Sequence, residues 1–492
     1  MSVRNKESIV RDSVSLVSVR IITLTCSVIA TSILSHGTDI QTYGVYSQGN
    51  LLISFLTTIS ILGFTDGVNF FYNRSDDVQQ RKKYIDTLFG VQLIIGVVLM
   101  SGVLLLQDAI AVYFRSPEIK LYLIYLCFRP MLSNFSAMLQ NLCVSVGKAR
   151  KLALRSAVTA LCKVLAVCIC VFFTKDIGTV FQLLLLLDVL GTLYFYWIYA
   201  KEDVHIRFAI DKTLLREIFD FCIPMGLYVI TNSLCRECDK LVVARMGGTE
   251  ALALYTNATF PIPVNLVPTA MITVIIPTLT RLYHQNKLEL SRELLACFLK
   301  LGYISSAVFG MACLVLAQPI ILFLYGAKYL PGLRVFQVYM IVDILKFANV
   351  SFLLSIAGRT RELLKSSLII LLANMVMNIV GYTWLGIAGP AIATLITAAV
   401  NVAYLLIRGA DVLQIKSTIF FDWKHVAVFS AQLLACSGAA GCLQKILTEQ
   451  NVGAFWQIAI CGAGLCGCMF LLNLRVLKTT LASINNIGEK NK

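Results

Sequence analysis

Long apolar stretches recur down the chain, and short polar gaps separate them. Crossing a hydrocarbon core about 30 Å thick takes about 20 helical residues. Stretches of that size lie at 12–35, 44–72, 84–106, 119–145, 153–173, 178–200, 215–243, 252–279, 294–325, 333–357, 364–383, 387–408, 425–447 and 453–474. These runs are too long and too uniformly apolar for barrel strands, and unpaired backbone groups are intolerable in lipid. The predicted fold class is therefore an all-α polytopic membrane protein with 14 transmembrane helices. The first run is too long and too rich in Ser and Thr for a cleaved signal peptide, so it stays as helix one.

The chain is doubled. The gap after the fourth run reads GKARKLALRS from Gly147, the gap after the tenth reads GRTRELLKSS from Gly358, and the two start 211 residues apart. Gly37-Thr38-Asp39 after the first run and Gly248-Thr249-Glu250 after the seventh are separated by the same 211. Runs one to six and seven to twelve thus read as tandem repeats. Six helices per unit make both repeats enter the membrane in the same direction, which puts a pseudo-twofold axis along the membrane normal. The organisation expected is a six-helix bundle over 1–210, a second over 211–410, and two further helices with a tail over 411–492. Pro261, Pro263, Pro268 and Pro277 crowd the eighth run and should bend it.

Composition agrees, with 58% hydrophobic and 14% charged residues. The net charge of +15 is mostly topological: alternate gaps and the termini hold 28 Lys and Arg, and the opposite gaps hold 7. The rich side should be cytoplasmic, with both termini inside, and no nucleic-acid partner is needed to explain the charge. The 16 cysteines lie mostly within apolar runs, where they act as small hydrophobes; Cys235 and Cys238 form an isolated C-x-x-C. Nothing in the His, Gly or Ser pattern suggests an enzyme, a metal site or a cofactor, and no gap can hold a nucleotide-binding domain.

Candidate chemistry sits in the membrane. Arg20, Arg129, Lys163, Arg236, Lys240, Lys300 and Lys346 are embedded bases, against the acids Asp66, Asp188, Glu237, Asp239 and Asp343. A charge at mid-bilayer is costly unless paired or wet, so these residues imply a polar cavity, although Lys300 and Asp66 can snorkel. Arg20, Thr23, Ser27 and Thr31 share one face of the first helix, as a cavity wall or as interhelical hydroxyls. On the seventh, near Asn232, Arg236 can pair with Asp239 and Glu237 with Lys240; the cluster is either self-neutralised or a polar substrate contact. Asp343 and Lys346 repeat that spacing, and Asn374 and Asn378 are either cavity groups or interhelical glue.

Several landmarks are shared with a known family. They are Tyr43-Gly44-Val45-Tyr46, Gly63-Phe64-Thr65-Asp66-Gly67, the segment from Asp239 to Arg245, the segment from Leu324 to Tyr329, Ala357-Gly358-Arg359-Thr360, and the segment from Leu385 to Ala393. In order and spacing the chain resembles the polysaccharide-type flippases of the multidrug/oligosaccharidyl-lipid/polysaccharide exporter superfamily. The resemblance implies two six-helix bundles around a central cavity that opens alternately to either side. It also implies transport of undecaprenyl-diphosphate-linked oligosaccharide for O-antigen, capsule or exopolysaccharide assembly.

The substrate-cavity residues expected on this reading are Arg20, Thr23, Ser27, Arg129, Lys163, Asn232, Arg236, Lys240, Lys346, Asn374 and Asn378. Asp188, Glu237, Asp239 and Asp343 are the expected ion-coupling or charge-pair groups, with H⁺ or Na⁺ as the ion and membrane lipids and polysaccharide-assembly proteins as further partners. Three rival functions stand. A cation-coupled multidrug extruder would want an acidic or aromatic cavity, an embedded polymerase or ligase would want a large external loop, and a scaffold would need neither.

Overall fold

The computed structural model describes residues 6–74, 77–145, 149–200, 206–260, 262, 264–415 and 420–489. Each of the fourteen apolar runs contains helix, and no strand occurs among the described residues. The first run is α1 (Lys6–Gly37); the second is split into α2 (Ile40–Ser60) and α3 (Phe64–Arg74), bent by 43°. The third is α4 (Val78–Leu105), continued by α5 (Gln107–Phe114), and the fourth is split into α6 (Ile119–Leu126) and α7 (Arg129–Ser145). Next come α8 (Ala149–Ile169), closed by a π turn over Cys170–Thr174, and α9 (Ile177–Ala200).

The seventh run is α10 (Lys212–Ala258), interrupted at Gly248, whose φ of 77° is left-handed; the eighth resumes as α11 (Leu266–His284). Then follow α12 (Leu288–Val315), α13 (Ala317–Leu324), α14 (Leu333–Leu345), α15 (Ser351–Ile356), α16 (Thr360–Leu385), α17 (Ala388–Val412), α18 (Trp423–Glu449) and α19 (Ala454–Glu489).

Ten of the described helices are individually long and apolar enough to cross a membrane, or eleven if the α2–α3 pair is one span. The expected fourteen is not reached by this measure because several runs are broken. Leu62 and Gly63 both take positive φ at the α2–α3 elbow, and a Cβ on Gly63 would stand 2.4 Å from the Cys222 carbonyl oxygen. A glycine is required there because α10 crosses the elbow backbone to backbone. The crowded eighth run breaks between Ala258 and Leu266, where Pro261 and Pro263 lie outside the described residues.

The same broken pair of helices occurs twice. α4 and α12 each have 28 residues, and each is followed by an eight-residue helix after one residue that bends the path: Leu106 (φ −96°, ψ 16°) and Leu316 (φ −95°, ψ 17°). The later copy starts 210 residues after the earlier, at 288 against 78.

The chain divides into two compact units after Ala253. In the first, α1 packs on α8, α2 and α9 pack on α7, and α3 packs on α4 and α7. Phe64, Phe71, Phe89, Leu142, Phe195 and Cys222 form part of its core. α10, the first helix of the second repeat by sequence, lies mostly in this unit. Glu217 accepts from Arg74 and from the Tyr84 hydroxyl (2.5 Å), Arg115 donates to the Met246 carbonyl (3.2 Å), and Gln48 donates to Thr249 Oγ1 (2.9 Å).

In the second unit α12 packs on α11 and α14 and α17 packs on α14 and α16, while α18 and α19 pack together and on α12. Lipid tails are as apolar as these side chains, so close packing and small residues, not a hydrophobic drive, hold such helices together. At the α16–α17 crossing a Cβ on Gly389 would come within 1.9 Å of the Gly381 carbonyl oxygen.

Candidate functional site

A cavity of about 300 Å³ lies within the first unit, walled by α1, α2, α7, α8 and α9. Helical spacing explains its lining. Thr23 and Ser27 are four apart on α1, while Arg155, Thr159 and Lys163 are successive four-residue steps on α8. Arg129 enters from α7, which begins at that residue because the chain breaks over Cys127–Phe128 ahead of Pro130. The cavity thus reaches the first residue of a helix at membrane depth.

Three bases reach this cavity. Arg129 is 7% exposed; its Nε donates to Asp188 Oδ2 at 2.8 Å, and its Nη1 is buried with no hydrogen-bond partner among the described residues. Arg155 lies over the Phe195 ring, 4.5 Å from its centre, and donates from Nη2 to Ser136 Oγ at 2.9 Å, while its Nε is buried and unpartnered. Lys163 is accessible from the cavity and forms no ion pair among the described residues. Asp188 is the one acid paired to this group, so bases exceed acids by two. Each buried donor left without an acceptor costs about 1–3 kcal/mol.

Of the residues singled out in the sequence, the structure brings Thr23, Ser27, Arg129 and Lys163 to this cavity, with Asp188 paired to Arg129, and adds Arg155. Arg155 closes the basic segment GKARKLALRS and so counts with the cytoplasmic gap, although the apolar run already starts at 153. The helix itself starts at Ala149 and turns Arg155 inward. The four-residue spacing to Thr159 and Lys163 was the signal that could have revealed it. The Thr23 hydroxyl also donates to the Val19 carbonyl at 2.8 Å. The Arg20 side chain lies outside the described residues.

The remaining candidates stand elsewhere. On α10, Lys240 pairs with Glu237 at 2.9 Å, but the Arg236–Asp239 pair expected from spacing does not form. Arg236 donates instead to Ser233 Oγ at 2.9 Å, and the buried Asp239 accepts from the Lys240 backbone N–H at 2.7 Å. A spacing of three permits a pair but does not choose the rotamer; here a nearer hydroxyl and the helix's own N–H take the two groups. Asn232 lies half-buried on the same helix.

In the second unit Lys346 pairs with Asp343 at 2.5 Å, and the Asp343 carbonyl accepts from Asn265. Asn374 and Asn378 are buried: Asn374 donates to Thr397 Oγ1 at 2.8 Å and accepts from Asn378 at 3.0 Å, bridging α16 to α17.

The known proteins that resemble this chain can be set against this geometry. The sequence pattern of the family described as polysaccharide biosynthesis protein matches residues 39–333, more than half of the chain. The chain belongs to that family. No match is found among curated proteins. Among solved structures, the lipid II flippase MurJ in an inward closed conformation has a TM-score of 0.73 at 15% identity, over 95% of this chain and 100% of that one. An inward-facing multidrug resistance MATE transporter of the MOP superfamily has a TM-score of 0.65 at 15% identity, over 82% and 99%. A MOP superfamily transporter from Pyrococcus furiosus, described as having a binding pocket of reversed polarity that suggests a different function, has a TM-score of 0.58 at 15% identity, over 83% and 96%. The fold of this family member is thus the fold of the MOP transporters.

Proposed function

We propose that this protein is a flippase that carries diphosphate-linked oligosaccharide units on a polyprenyl lipid across the bacterial inner membrane. By alternating access, coupled to an H⁺ or Na⁺ gradient, it would supply O-antigen, capsule or exopolysaccharide assembly, alongside the assembly proteins that use the units. The observation that carries this reading is the basic cavity, where Arg129, Arg155 and Lys163 answer to the single acid Asp188. A diphosphate offers several acceptors to the basic side chains that line this cavity. At an effective dielectric of about 20 and a separation of about 4 Å, each charge pair contributes roughly 4 kcal/mol before desolvation is subtracted. Thr23, Ser27 and Thr159 place hydroxyls beside the bases for sugar contacts.

Membership in a polysaccharide biosynthesis family and the MurJ-like fold support the same reading. The excess of Lys and Arg in alternate gaps supports cytoplasmic termini. The rival, extrusion of cationic drugs, is disfavoured because this cavity repels cations; the reversed pocket polarity described for the Pyrococcus furiosus relative is a parallel case. The test is reconstitution in liposomes with a labelled lipid-linked saccharide, with and without an ion gradient. Arg129→Gln and Lys163→Gln should lower the translocation rate about tenfold or more with normal incorporation into the vesicles. Unchanged rates in both variants would remove the electrostatic basis of the proposal.

A further inference from the structure

The second unit holds a larger cavity, about 550 Å³, bounded by α12, α18, α19 and the residues just ahead of α18. Its polarity is graded. Along α12, Glu293, Lys300 and Ile304 lie on one stripe, a run of about 16 Å at 1.5 Å per residue. The charged end is shared by Asp422, His425 and Thr480, and the inner end by Tyr303, Ile304 and Val426. The depth of that charged end follows from α19, whose stretch from Ala454 to Arg475 covers about 30 Å of hydrocarbon and leaves Thr480 at the level of lipid headgroups.

Two further observations describe the occupant. Neither Glu293 nor Lys300 forms an ion pair among the described residues, although both open onto this cavity. Asp422 is likewise without an ion pair among the described residues, and uncompensated acids and a base in a shared space suit a ligand that itself carries both signs. The aromatic side chains of Phe420, Phe421 and Tyr303 add an apolar wall to the same cavity. An amphiphile with a zwitterionic head fits this gradient.

We propose that this cavity binds a phospholipid whose headgroup joins a phosphodiester to a primary ammonium. Lys300 and His425 hold the phosphate. Glu293 and Asp422 receive the ammonium; one Asp422 oxygen also caps α18 by accepting from the His425 N–H at 3.3 Å. The acyl region lies along Ile304 and Val426. This site concerns a resident membrane lipid, so it stands apart from the transported substrate and from the outcome of the transport assay.

The experiment is native mass spectrometry of the delipidated protein in detergent, titrated with dioleoyl phosphatidylethanolamine, dioleoyl phosphatidylglycerol and soluble phosphoethanolamine. Phosphatidylethanolamine should form a saturable single adduct at about tenfold lower concentration than phosphatidylglycerol, which lacks the ammonium. Lys300→Gln and Glu293→Gln should each erase that preference. Lys445→Gln, at the opposite end of α18, should keep it and serves as the control for general damage. Thermal unfolding of the wild type should shift upward with phosphatidylethanolamine only. Equal adduct formation by both lipids, a preference that survives both variants, or competition by soluble phosphoethanolamine at the lipid's own concentration would overturn the proposal.

Discussion

At the scale of single residues, what matters is which charges the fold leaves unanswered. Arg129 keeps one nitrogen on Asp188 and another buried without an acceptor, a poor arrangement for stability and a good one for a binding group. Arg236 is different: its contact is the Ser233 hydroxyl on its own helix. Arg236→Gln should therefore leave the amount of folded protein in the membrane unchanged, and adding Asp239→Asn should rescue nothing, as immunoblots of membrane fractions would show. A drop with the first change and recovery with the second would restore the pair that spacing suggested.

Asp39, the N-cap of α2, gives a prediction in pH. Burial works to raise its pKa, but hydrogen bonds from the Thr42 side chain and backbone outweigh it and hold the carboxyl below its usual range. Its contribution is complete above the ordinary carboxylate range and is lost as pH falls through the lowered value in the folded state. Asp39→Ala should cost about 1 kcal/mol near neutrality, reduced by the group's exposure, and the gap to wild type should close in acid, measured by thermal unfolding in detergent.

At the scale of elements, hydropathy was a sufficient guide to where helices are, because lipid leaves the backbone no other way to satisfy itself. It was a weaker guide to where they stop. The α6–α7 break puts Arg129 at a helix start, and the left-handed Leu62–Gly63 elbow splits the second run; both are backbone events inside apolar sequence, which an average over apolar content smooths away. Arg155 was hidden differently, because it closes a basic segment whose other charges mark the end of a gap, while the helix itself already begins at Ala149. Glycine contacts are equally silent in a single sequence. Gly389→Leu should separate α16 from α17, because its first side-chain carbon already collides with the Gly381 carbonyl; a clear loss of folded protein is expected, and Gly453→Leu, where nothing lies within 4 Å, is the matched control.

At the scale of the whole molecule, the repeat was legible as a 211-residue offset in the gaps and appears in the structure as a twice-used 28-residue helix with a bend at its end. The pairing of α10 with the first unit was not legible, since it depends on distant partners such as Glu217 with Arg74. Reporter fusions after Lys151 and after Lys478 should read cytoplasm, and one near Asp39 the opposite side; identical readings at Lys151 and Asp39 would overturn the helix order. The ion pair of Arg129 with Asp188 bears on how fast a carrier can empty itself. Three bases with no resident competitor would be a sink, gripping a diphosphate too long to complete a cycle. On the proposed function, Asp188 would contest Arg129 whenever the ligand loosens and so set the pace of unloading. Asp188→Asn should accordingly hold lipid-linked saccharide more tightly and deliver it more slowly, an inverse relation that equilibrium binding and single-turnover release would expose side by side.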